Sequence, residues 1–449
     1  MMLQSKKQSK FITQFTSDSI WVSLGFGINA LSALIAGMLL TRILDVASVG
    51  GYFLAFSLIT IFSVSSQLGF NTTVVRIISS ATLKEKQSYL NKTIIKMLLL
   101  IVSTSALIML FFMSDFVSLL LDMFSPMSLI SSSMYIIGWL ILVTAIRMFI
   151  AEVFRGFGDI KRASLYQRIL PNILMLSVLF LIVVTSYKMN LHLVLNILLL
   201  VNFIILVIIF VPFKNKLNKL SGNDSLAIGT LLSSSSPIAV SQICQLIFTQ
   251  IPLWVLGATS LSEDIANYGV AFRLAAFVSL PLLIANNVIM PHVARQYSTN
   301  NKHGLNILIQ NTVVITSLVA LLFLAVFAYF GDWMLALFFG EEYVIAYLIL
   351  LVIGCGQAIN VFSGSPAVVL AMAGKEKYVL HSNLLASIVV LVASIIIIPI
   401  YGAMGAAVVT AIGLIVVNVF LSYYSYKIIG YKTYISVASI KSAKYRLLG

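Results

Sequence analysis

Of 449 residues, 60% are hydrophobic and only 9% are charged, against the roughly 25% with which a soluble domain coats itself, so the chain is built for lipid. Cys244 and Cys355 lie in separate apolar runs, which excludes a disulfide scaffold and a thiolate metal cluster, and four scattered histidines with 14 acidic residues point to no metal site and no buried hydrolytic centre. The net charge of +14 falls in short clusters between apolar stretches, which fits an anionic membrane leaflet rather than nucleic acid.

In chain order, residues 1–18 are polar and carry Lys6, Lys7 and Lys10, and the apolar run that follows has no small-residue cleavage site, so the segment is expected to be retained. A membrane helix needs about 20 mainly apolar residues. That rule predicts twelve spans: 19–41, 49–70, 93–113, 129–151, 164–185, 191–212, 226–256, 266–290, 307–330, 345–370, 380–400 and 403–428. The charges test the count, because Lys and Arg gather in cytoplasmic loops. With the N-terminus inside, every basic residue among the 28 falls on the inner side except Lys188, Arg42, Arg147 and Arg273. The outer side collects Asp45, Asp115, Asp122, Glu263, Asp264, Asp332, Glu341 and Glu342. Dropping one span would invert every later loop and destroy this segregation, so both termini are expected in the cytoplasm. The inner loop 71–92 is about one amphipathic helix long, with Lys84, Lys86 and Lys92 on the lipid headgroups. No Gly-rich phosphate loop precedes a Lys and a Ser or Thr, so no ATPase is housed here.

One constant offset places Tyr52, Ala55 and Phe56 on Tyr268, Ala271 and Phe272, and Gly158 and Lys161 on Gly374 and Lys377. The expected architecture is an all-α integral membrane protein, twelve transmembrane helices in two parallel six-helix bundles around a central cleft. The bundles are 1–213 and 226–430, joined by a cytoplasmic linker at 214–225 and followed by a basic cytoplasmic tail at 431–449.

Polar side chains are costly in lipid and tend to line a hydrated cleft, although hydrogen bonds between helices explain them equally well. Asn29, Gln67, Gln242, Gln245 and Asn286 are the cleft-lining candidates, joined by Gln250 and Asn287; Gln242, Gln245 and Thr249 share one helical face. Pro252, Pro281 and Pro366 are expected to interrupt the seventh, eighth and tenth helices as hinges. Arg273, inside the eighth span, is the principal candidate for an anionic headgroup, since its fork donates bidentately to phosphate. Arg147, near the inner end of the fourth span, can bind a headgroup or snorkel, and Arg42 either binds a headgroup or pairs locally with Asp45. The acids best placed to change charge state in transport, Asp18 and Glu152, stand at inner helix ends, so the cleft is expected to be cationic and to draw anions.

The stretch from Ala373-Gly374-Lys375 through Ile398-Pro399-Ile400-Tyr401-Gly402-Ala403-Met404-Gly405-Ala406-Ala407 resembles a pattern of polysaccharide exporters. Thr41-Arg42-Ile43-Leu44 leading to Gly51-Tyr52, and Tyr268 to Leu274 leading to Pro291, are similar to further family motifs. Over nearly its whole length the chain resembles Wzx-type oligosaccharide (O-antigen or capsule repeat unit) flippases of the multidrug/oligosaccharidyl-lipid/polysaccharide (MOP) exporter superfamily. The resemblance implies a flippase, not an enzyme, moving an undecaprenyl-diphosphate-linked glycan across a bacterial plasma (inner) membrane. Arg273 and Arg42 match its arginine positions and are carried over as headgroup contacts. Membrane lipids, a polysaccharide polymerase and a chain-length regulator are the further partners it implies, with no cofactor and a coupling ion left open between H+ and Na+. Twelve spans rather than fourteen argue against the lipid II flippases. A cation-coupled multidrug antiporter of the same superfamily, and a membrane-embedded glycosyltransferase or polymerase, are the alternatives; the outer loops are short for the latter.

Overall fold

The computed structural model describes residues 2–83, 88–122, 128–185, 189–220, 224–299 and 301–435. Lys84, Lys86, Lys188, Lys441, Lys444 and Arg446 lie outside the described residues, as do the side chains of Lys6, Lys7, Lys10 and Asp18.

The described chain is helical. In order the helices are α1 (Met2–Ile43), α2 (Val46–Ser66), α3 (Phe70–Leu83), α4 (Leu90–Phe112), α5 (Asp115–Asp122), α6 (Ser128–Ser131), α7 (Met134–Gly156), α8 (Ile160–Ser164), α9 (Leu170–Val184), α10 (Leu191–Leu217), α11 (Ile228–Thr259), α12 (Ser262–Ser298), α13 (Lys302–Phe339), α14 (Tyr347–Phe362), α15 (Pro366–Met372) and α16 (Glu376–Tyr424). A π-helical turn, Leu165–Ile169, joins α8 to α9, and Glu341–Ala346 forms a 3₁₀ turn ahead of α14. Among the described residues, eleven helical stretches are long and apolar enough to cross a membrane. The longest, Glu376–Ile429, is broken at Gly402, whose φ of 53° and ψ of −134° no helix contains. It therefore supplies two spans, and twelve crossing segments result, as the hydropathy and charge pattern require.

Local chemistry sets the helix ends. The carboxylate of Asp45 accepts from the Ser48 amide, that of Asp159 from the Arg162 amide, and the Asn190 and Asn301 side chains from the amides of Leu193 and Gly304. The backbone agrees with the repeat inferred from sequence at one matched pair of helix ends. Gly158 and Gly374 both take positive φ, 78° and 69°. Around them the hydrogen bonds correspond one for one: Phe157 to Val153 and Ala373 to Val369, Gly158 to Arg155 and Gly374 to Ala371, Asp159 to Phe154 and Lys375 to Leu370. This is the left-handed glycine cap that closes a helix and satisfies its last carbonyls.

The chain forms two compact units, residues 1–36 with 55–243 (unit 1) and 37–54 with 244–449 (unit 2). They differ from a division at 214–225 in two segments: 37–54 belongs to unit 2, and 226–243 to unit 1. Within unit 1, α7 is buried along most of its length and packs on α3, α4 and α10. Phe70, Val74, Ile78 and Ala81 put one stripe of α3 into this core, so the expected amphipathic segment after the second span packs on protein. Residues 228–243 are held there by close approach of Gly69 to the Ser235 carbonyl, where an added Cβ would lie at 2.5 Å, and by Arg76 donating to the Ser234 carbonyl at 3.4 Å. The expected linker is strapped down as well, Lys96 donating to Ser225 Oγ (2.8 Å) and the Leu226 carbonyl (2.9 Å).

Within unit 2, α14 packs on α12, α13 and α16. The described start of the expected tail, 431–435, also lies against protein: Gln310 donates to the Lys432 carbonyl, Ile435 to the Phe362 carbonyl, and Thr433 is buried. The three prolines divide. At Pro366 the helix does break, with Gly364 at φ 71° and Pro366 opening α15. Pro252 and Pro281 instead lie within α11 and α12, which continue through them. A proline removes a single ladder bond and is tolerated in a membrane helix where neighbours re-satisfy the freed carbonyl.

Candidate functional site

Arg273 stands on α12, in unit 2, among residues that share its unit. Its guanidinium carbon lies 4.5 Å from the centroid of the Phe53 ring and 5.6 Å from that of Tyr52. Two glycines clear this space. A Cβ on Gly37 would sit 3.2 Å from Arg273 Nη1 and 3.1 Å from Phe339, and one on Gly269 would lie 2.1 Å from Phe53 Cδ2. Tyr268, stacked on Phe272, is held by Thr410 through a 2.8 Å hydrogen bond. The arginine thus rests on an aromatic floor whose position is fixed by close packing. A ring face attracts a guanidinium without neutralising it, so the charge of Arg273 remains to attract an anion.

Arg42, at the end of α1, is exposed. The expected ion pair with Asp45 does not form, since Asp45 caps α2 and no contact joins it to Arg42 among the described residues.

Arg147 is buried, and its donors are used inside unit 1: Nε to Asn202 Oδ1 (3.1 Å), Nη1 to the carbonyls of Tyr166 (2.7 Å) and Gln167 (3.1 Å). Both carbonyls belong to the π-turn, and Pro171 explains why they need a donor. In an α-helix the Gln167 carbonyl would take the amide of residue 171, which as proline has none. The Tyr166 carbonyl would take that of Leu170, which is drawn instead to Leu165. Arg147 supplies the missing hydrogens.

Beside it, Glu152 and Arg155 form an ion pair (2.9 Å) closed by Gln167, which accepts from Arg155 (2.7 Å) and donates to Glu152 (2.8 Å). One residue that sequence reasoning passed over stands nearby. Arg168 had been absorbed into the cytoplasmic charges, yet it sits in the π-turn, half-buried, its guanidinium carbon 3.9 Å from the Phe26 centroid. The signal was its spacing, four residues from both Ser164 and Asn172.

The polar candidates separate similarly. Asn29 is exposed and accepts from Asn172 (3.0 Å); Gln245 is exposed. Gln242 donates to Asn71 (3.3 Å) and Thr72 (3.2 Å), and Asn286 accepts from Ser365 at the α14–α15 break. Gln67 does not line an open space: it is fully buried and bonds back to the Ser63 carbonyl, because the chain turns sharply behind it at Leu68 and Gly69.

Known proteins extend the picture. The model of the family described as polysaccharide biosynthesis protein matches residues 15–297, and that of MatE matches 237–397. No curated protein sequence matches the chain. Among solved structures, an inward-facing multidrug resistance MATE family transporter of the MOP superfamily is similar with a TM-score of 0.71 and 14% identity, over 96% of this chain and 98% of that one. The lipid II flippase MurJ in an inward closed conformation gives 0.67 and 16%, over 96% and 91%. A MOP superfamily transporter from Pyrococcus furiosus, described by a binding pocket of reverse polarity, gives 0.64 and 15%, over 92% and 94%. At such identity the likeness is one of fold. The chain therefore belongs to the polysaccharide biosynthesis protein family, and its multi-helical fold is the one seen in these MOP superfamily structures.

Proposed function

We propose that this protein is a flippase that carries an undecaprenyl-diphosphate-linked oligosaccharide repeat unit across the bacterial plasma membrane by alternating access, for assembly of O-antigen, capsule or another surface polysaccharide. The observation that carries the reading is Arg273, a guanidinium inside a span, set against the rings of Phe53 and Tyr52. A charge in the hydrocarbon slab costs at least about 2.5–3.5 kcal/mol, and a cation so placed suits a diphosphate that must leave water. The disposition of acids agrees. Among the described residues of the spans, Glu152 is neutralised by Arg155, Asp264 is half-buried in the first turn of α12, and Glu263, Asp332, Glu341, Glu342 and Glu376 are exposed near helix ends, so no fully buried acid is left without a cation, a poor design for cationic drugs. The family match to polysaccharide biosynthesis proteins and the fold shared with a lipid II flippase support the same substrate class.

Replacing Arg273 tests it. Arg273→Ala is expected to abolish surface polysaccharide at near-normal protein abundance, and Arg273→Lys to restore it partly, since a point charge keeps the attraction and loses the fork. Full export by the Ala variant at matched abundance refutes the headgroup role. The MatE match over 237–397 favours a second reading, cation-coupled multidrug export. Vesicle uptake of a cationic dye that stops when the proton gradient is collapsed would establish that instead.

A further inference from the structure

Between α1 and the 160–184 stretch of unit 1 runs a seam of small and polar residues at helical spacing. Ser164, Arg168 and Asn172 recur every four residues, facing Gly25, Phe26 and Asn29. A Cβ on Gly25 would lie 3.7 Å from Ser164 Cβ and 3.9 Å from Arg168 Cδ, and one on Gly27 would meet nothing within 4 Å. The Ser164 hydroxyl is buried with no partner. Asn29, exposed, accepts from Asn172 and keeps its own amide hydrogens for another acceptor.

The charges here do not balance. Among the described side chains, Arg147, Arg155 and Arg168 face one acid, Glu152, which Arg155 and Gln167 already occupy. Arg147 spreads its charge over two carbonyls and an amide oxygen. Arg168 has the Phe26 ring, and among the described residues no carbonyl or carboxylate accepts from it. A ring face returns only part of what desolvating a guanidinium costs, so the seam is suited to an anion.

We propose that Arg168, with the Asn29–Asn172 amide pair one turn away, is an anion site of unit 1 that takes a diphosphate ester. One turn of four residues is about 6 Å along the axis, so only a group carrying several acceptor oxygens engages both the fork and the amides. A carboxylate reaches one of them. Assigning the ester to the lipid carrier rests on the proposed flippase function; the anion chemistry does not.

The test uses purified full-length protein in detergent and calorimetric titration with inorganic diphosphate, geranylgeranyl diphosphate, geranylgeraniol and phosphatidylglycerol. Both diphosphates are expected to bind, and Arg168→Gln to weaken them about tenfold or more. Arg168→Lys is expected to fall between, since it loses the fork. Unchanged diphosphate affinity in Arg168→Gln overturns the site; should that variant not fold, unchanged affinity in Arg168→Lys does so. Binding of inorganic diphosphate alone overturns the lipid source, and equally tight phosphatidylglycerol overturns the preference for diphosphate. Diphosphate binding that depends on Arg168, in a protein whose loss leaves surface polysaccharide intact, upholds this site and sinks the flippase reading. Export that depends on Arg273, with diphosphate affinity indifferent to residue 168, sinks this site alone.

Discussion

Arg147→Met keeps the length of a buried side chain and removes every donor that holds the π-turn. Three hydrogen bonds are lost, at 3.1, 2.7 and 3.1 Å. Side-chain hydrogen bonds in membrane proteins contribute about 0.6 kcal/mol on average and up to about 1.7, so the direct loss is about 2–5 kcal/mol. Water cannot substitute, because the site is buried and Pro171 offers the two carbonyls no amide. For a two-state unit of about 150–250 residues, 1 kcal/mol moves the midpoint by roughly 2–4 °C, so a fall of about 4 °C or more is expected by size-exclusion thermostability in detergent. Pro171→Ala in the Arg147→Met background restores an N–H to the turn and is expected to recover part of the loss. The coupling of the two changes in a double-mutant cycle is the decisive quantity. An unchanged midpoint in Arg147→Met together with loss of export would refute the structural assignment and return Arg147 to the headgroup role its position suggests.

Gly269→Ala forces a methyl into the Phe53 ring and is expected to destabilise by about 1–3 kcal/mol, with Phe53→Leu as its suppressor; additive effects would show that the two do not share that space. In a Cys355→Ser background, needed because Cys355 is exposed while Cys244 is buried, Lys375→Cys should resist an impermeant maleimide in intact cells and react after permeabilisation. Rapid labelling of intact cells would invert the topology of unit 2. Lys96→Met, which releases Ser225 and Leu226, should raise protease cleavage near residue 224 at least several-fold; equal cleavage would mean that Thr93, which accepts from the Leu226 amide at 3.1 Å, holds the strap alone.

The spans were legible because hydrocarbon thickness sets one length that sequence must meet, and because Gly402 after Pro399 marks the break that divides the last long helix. The repeat was legible at its glycines, since a positive φ at a helix end is nearly a glycine property, and the matched bonds at Gly158 and Gly374 follow from it. The roles of the polar residues were not. An intramembrane arginine looks the same in a sequence whether it waits for a phosphate or mends a backbone, and the difference lies in what distant residues lack. Arg147 is explained by Pro171, which removes a donor on another helix. Gln67 reads as a cleft residue until the turn at Leu68 and Gly69 folds it inward. Arg168 was hidden by the success of the charge count, which accepts any basic residue near an inner end and never asks whether its helix has already entered the slab. The two intramembrane arginines with aromatic rings beneath them, Arg168 over Phe26 and Arg273 over Phe53, fall one in each unit. A ring face stabilises a cation without neutralising it, so each keeps the positive field that an ion pair with a carboxylate would have cancelled, which is the property a protein handling anions in lipid has to retain.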